Sequence, residues 1–68
     1  MAKVFSPAVL RDILDERTRD ASWLAAQTGA TPTTVAQWLA GVTAPRGSSL
    51  RVISMVLRIP ERELLVDE

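Results

Sequence analysis

Two groups of side chains in this chain have types and spacing that could do chemistry. The first is Thr33 and Gln37, which stand four residues apart and so project from one face of a helix. A glutamine amide can pair bidentately with N6 and N7 of adenine. A threonine hydroxyl can bond either base type, and its methyl can meet the methyl of thymine. Thr34 lies beside them and reaches more readily toward a phosphate. The second group is Asp12, Asp15 and Glu16, which could look like paired carboxylates. They share a charged helix face with Arg11 and lie near Arg19, and ordinary solvation accounts for them. The chain has no Cys and no His. Disulfides, thiolate or imidazole metal sites, and His- or Cys-based catalysis are therefore excluded. No glycine-rich phosphate loop and no metal-ligand spacing occurs. The chain is not expected to be an enzyme, and no cofactor is implied.

The elements that must position Thr33 and Gln37 lie between residues 21 and 41. That stretch reads as two short helical patterns joined through Gly29, with small and apolar residues where two steeply crossing helices must touch. This is the spacing of a helix-turn-helix, by which a compact protein pushes one helix into the DNA major groove. Asp20 can cap the second helix, expected to run to about Thr28, and Gly29 suits the positive φ just past a helix end. Thr31 can cap the third helix, with Pro32 at its first position and Val35, Trp38 and Leu39 as its inner stripe. Gly41 stops it.

Around this pair the first helix starts with Ser6 as cap and Pro7 at its first position, and Phe5 can staple onto Leu10. Its Val9, Leu10, Ile13 and Leu14 face inward, while Arg11, Asp12, Asp15 and Glu16 face water. A loop from Val42 to Gly47 leads to a fourth helix beginning at Ser48 or Ser49, with Leu50, Ile53, Val56 and Leu57 inward. Ile59-Pro60 breaks it, and Glu61 to about Val66 reads as a short fifth helix. Only Lys3-Val-Phe5 suggests a strand. The expectation is an all-α domain of five short helices, a single unit over residues 1–68 with its motif at about 21–40.

Sixty-eight residues suffice for one domain with little core. A hydrophobic content of 47% argues against disorder. The longest apolar run is far too short to span a membrane, and the N-terminus lacks the apolar core of a signal peptide. The net charge is zero, which works against phosphate attraction. The distribution is uneven, however. The eight acids lie within residues 12–20 and 61–68, and the interval between holds Arg46, Arg51 and Arg58 and no acid, a local charge of +3. Such a chain can still present one positive face.

The span from Val9 to Leu65 resembles the helix-turn-helix domain of Cro/C1-type (XRE-like) phage and bacterial repressors. The residues that carry the resemblance are Leu24-Ala25, Gly29, Thr31, Val35, Trp38, Gly41, Pro45, Leu50, Ile53, Leu57, Ile59 and Leu64-Leu65, matched without a gap. The resemblance implies a five-helix lambda-repressor-like fold and a sequence-specific regulator of transcription that binds double-stranded DNA. The helix at about 31–40 would enter the major groove, bringing Thr31, Thr33, Thr34 and Gln37 to the duplex. In this family the following loop and the start of the fourth helix lie along the sugar-phosphate strand, which makes Arg46, Ser48 and Ser49 phosphate candidates. Arg51 either reaches a phosphate or pairs with an acid elsewhere, and Arg58 is a cation at a helix C-terminus.

One such module typically needs a second copy for useful affinity, so a homodimer is expected, at least on DNA. Its contact would come from the fifth helix with Leu64, Leu65 and Val66, or from the Met1–Phe5 arm. The chain is either a whole small repressor or a piece of a longer one. The setting implied is the cytoplasm of a bacterial cell or a phage-infected host. Departures from the family favour a rival reading. Ala21 stands where Gln is usual, Pro32 where Gln is frequent, and Leu39 and Ala40 where polar or basic residues are common. Trp23 stands where a polar residue is usual, either filling the core or making a protein contact. The same fold could then be a protein-interaction module, such as an antirepressor or regulatory subunit.

Overall fold

The first three helices begin at side chains suited to capping, and the second and third end at glycines. The computed structural model describes residues 2–67. In it Ser6 accepts the Val9 N–H at the start of α1 (Pro7–Glu16), with Pro7 at the first position. Asp20 accepts the Trp23 N–H at the start of α2 (Ala21–Thr28), at 2.9 Å. Thr31 accepts the Thr34 N–H at the start of α3 (Pro32–Ala40). Each side-chain oxygen satisfies an amide that the helix itself cannot. Gly29 and Gly41 end α2 and α3 with φ of 78° and 76°, a conformation that costs a glycine nothing.

α4 (Gly47–Leu57) starts earlier than the serines suggest. Arg46 is its flanking residue and gives no side-chain cap, so Ser48 and Ser49 lie inside the first turn.

The chain end differs from the expected fifth helix. Residues Glu61–Leu64 make one turn of 3-10 helix, and Leu65–Asp67 is a strand, β2. It pairs antiparallel with β1 (Lys3–Phe5) in the register Lys3–Asp67, Val4–Val66, Phe5–Leu65. The described residues are therefore mostly helical, with four α-helices and a two-stranded sheet, rather than all-α with five helices. The physical reason is local. The six residues expected in that helix, Glu61 to Val66, are too few to nucleate an α-helix that packs on one side only. The segment Lys3-Val-Phe5 meanwhile offers backbone partners to β-branched Val66. The bond from the Ser6 N–H to the Leu64 carbonyl, 2.9 Å, carries the pairing into the start of α1.

The core is built from the stripes the spacing predicts. Leu10 and Leu14 of α1, Leu24 and Ala25 of α2, Val35 and Trp38 of α3, Ile53 and Leu57 of α4, and Leu64 are buried together. Ile13, Leu39, Leu50 and Val56 are partly buried against them. α3 packs on α2 and α1, while α4 packs on α2 and the 3-10 turn. Ala25 is buried on α2, which packs on both α3 and α4, so a larger side chain there would have to displace the core. No helix among the described residues is long and apolar enough to cross a membrane.

Candidate nucleic-acid interface

α3 has one committed face. Val35 and Trp38 are buried, so their helical positions fix which residues turn away. Thr33, Ala36, Gln37 and Ala40 are all exposed. Thr33 and Gln37 therefore stand together on the outer side of a helix whose inner side is locked. No side-chain hydrogen bond within the described residues occupies either of them. Both are free to bond an external donor or acceptor.

Thr31 and Thr34 are differently placed. The Thr31 hydroxyl accepts the Thr34 N–H at 3.1 Å and donates to the Thr34 hydroxyl at 2.9 Å. Its proton and one lone pair are thus spent on the cap. Thr34 keeps its own hydroxyl proton and is half-buried. Thr31 reads better as the residue that fixes the start of α3 than as a direct contact.

Arg46, Ser48 and Arg51 are exposed around the first turn of α4, with Ser49 half-buried. Neither arginine has an acidic partner among the described residues, where the salt bridge formed is Lys3 to Asp67 at 2.9 Å. No acid lies anywhere in α2, α3, the loop after it or α4. Among the described residues Arg51 forms no ion pair. Arg58 occupies the left-handed residue at the end of α4, φ 57°, where it terminates the helix.

Two interactions escape the sequence reading. Arg11, assigned to the solvent side of α1, donates from Nη2 to the Leu39 carbonyl in the last turn of α3, at 3.1 Å. No local signal in the sequence singles this contact out, since none of the four described α-helices carries a basic residue in its last turn. Trp23 is half-buried against the core, and the Arg19 guanidinium carbon lies 4.9 Å from its ring centroid. Arg19 is thereby held at the entry to α2 by a cation–π contact.

Among the described residues no cluster of acidic side chains could hold a metal ion. The buried side-chain polar atoms there all have hydrogen-bond partners. What the surface offers is a neutral, hydrogen-bonding ridge on α3 and, one loop later in the chain, an acid-free, arginine-bearing start of α4. No protein-family model matches the chain, and no curated protein matches it.

Proposed function

We propose that the chain is a sequence-specific double-stranded DNA-binding regulator of the Cro/C1 kind, acting by occlusion in a bacterial cell or phage-infected host. α3 lies in the major groove, α2 lies over it, and Arg46, Ser48, Ser49 and Arg51 meet the backbone. The observation that carries this reading is the pairing of Thr33 and Gln37, both exposed, on a helix whose opposite side holds buried Val35 and Trp38. Such a helix fixes the positions from which the base-reading groups project, so that only their side-chain rotamers need ordering on binding.

A second copy belongs to the proposal. The longest extent of the domain is 33 Å, about one turn of duplex, which is roughly 34–36 Å. That extent is compatible with two copies set one turn apart, one on each half-site. Leu64 is fully buried and has no side chain to give a partner. The apolar surface left at that end is the cross-strand pair Val4 and Val66, 38% and 40% exposed. It belongs to the arm and to the strand that replaces the fifth helix, and of the arm only Met1 lies outside the described residues.

The rival, a protein-interaction module, draws on the zero net charge and on exposed Val42 and Met55. Salt dependence separates the two. Binding to a random duplex should weaken roughly tenfold between about 50 and 200 mM salt if Arg46 and Arg51 each neutralise a phosphate. A chain that binds no duplex at the lower salt sinks the DNA reading and leaves the rival.

A further inference from the structure

The C-terminal end of α3 lacks a charge that helix ends favour, and another helix supplies it. The last carbonyls of a helix have no partner within it and form the negative end of its dipole. In α3 the Gln37 carbonyl accepts the Val42 N–H at 3.0 Å, and the Trp38 carbonyl accepts the Gly41 N–H at 3.2 Å. The Leu39 carbonyl is next in line. It is taken by the Arg11 guanidinium, which arrives from α1, 28 residues earlier in the chain. α3 carries no basic residue in its own last turn. Arg11 had a nearer choice, since Asp15 follows it by four positions on the same helix. Its contact within hydrogen-bond distance is nonetheless the carbonyl of α3.

We propose that Arg11 is a positioning residue: it ties α1 to the C-terminal turn of α3 and so fixes the orientation at which Thr33 and Gln37 meet a duplex. The proposal rests on the DNA-binding reading for its functional consequence, and on the Arg11–Leu39 bond for its structural one. Arg11 acts on discrimination between sequences rather than on attraction to phosphate. Hydrogen bonds to a charged donor are the stronger kind. A fixed orientation matters more to a bidentate base contact than to a phosphate contact.

The test uses the full chain with Arg11→Ala and Arg11→Lys, read in two ways. Arg11 is exposed, so neither substitution opens the core. First, affinity is measured for the preferred duplex, selected from a random library, and for random duplex, across salt. Arg11→Ala should lower the ratio of the two about tenfold, with the salt slope unchanged and Arg11→Lys recovering part of the loss. An unchanged ratio overturns the proposal. An equal loss on both duplexes with a shallower slope also overturns it, because Arg11 is then a phosphate contact. Second, amide exchange is followed without DNA. The Gly41 and Val42 amides should exchange about fivefold faster in Arg11→Ala, while those of Ile53 and Leu57 keep their rates. Equal exchange overturns the clamp whatever the duplex results. A wild-type chain that binds no duplex sinks the DNA reading instead, and exchange alone then decides whether Arg11 holds α3.

Discussion

At the scale of the residue, the outer face of α3 and the start of α4 divide the proposed work. Gln37 can pair with one base edge, so its loss is felt at one position of a site. Arg46 offers charge, so its loss is felt on every sequence. Gln37→Ala is expected to cost about 1–3 kcal/mol on the preferred duplex and to relax the preference at one base pair. Arg46→Ala should weaken preferred and random duplexes alike and make the salt slope shallower by about one. Both are read by competition titration. If both variants bind the preferred duplex like the wild type, the assignment of contacts is wrong. Trp23 shows why a single residue type can mislead. Its ring is half-buried against the core and faces Arg19, so it is neither wholly core nor an open docking surface.

The helix ends carry the argument at the scale of the element. α1, α3 and α4 all close with the same pair of bonds. The amide of the left-handed residue bonds a carbonyl three positions back, and the next amide bonds one five positions back. In α1 these run from Thr18 to Asp15 and from Arg19 to Leu14. In α3 they run from Gly41 to Trp38 and from Val42 to Gln37. In α4 they run from Arg58 to Met55 and from Ile59 to Ser54. This is the Schellman arrangement, which favours glycine at the left-handed position. α3 has Gly41 there, whereas α1 has Thr18 at φ 55° and α4 has Arg58 at φ 57°. Thr18 is β-branched, which makes that conformation the more strained of the two. Thr18→Gly should therefore stabilise the domain by about 1 kcal/mol. The check is a higher urea midpoint with an unchanged slope; a lower midpoint means that the strain is not there to be relieved.

At the scale of the whole molecule, the two chain ends close the structure. Leu64 is fully buried with Leu10, Leu14, Ile53 and Leu57, although it lies on a single 3-10 turn. The 3-10 turn touches both α1 and α4, so Leu64 joins the first and last helices. A chain of this size has roughly 3–10 kcal/mol of stability. Leu64→Ala should remove about 2–5 kcal/mol of it, enough to leave much of the protein unfolded at 37 °C by circular dichroism. A loss under about 1 kcal/mol would mean that the chain end is not part of the core. The exposed Lys3–Asp67 bridge at the sheet is worth far less, since surface pairs contribute about 0–1 kcal/mol.

The sequence by itself determined the four α-helices and nearly all of their ends. Caps, prolines and glycines act within a few residues, and the buried stripes follow from helical period alone. Ser6, Asp20 and Thr31 as caps, Gly29 and Gly41 as stops, and Leu10, Leu14, Val35, Trp38, Ile53 and Leu57 as core were legible in this way. Of the candidate site, the exposure of Thr33 and Gln37 followed from the same period. Only the tertiary structure decided the rest. Leu65–Asp67 is a strand because Lys3–Phe5, sixty positions away in the chain, comes back to pair with it. Arg11 turns to the Leu39 carbonyl because packing of α1 on α3 brings the two within reach. The pairing and the Arg11 contact join residues far apart in sequence, where local preference is silent and the geometry of the assembled core selects the partner.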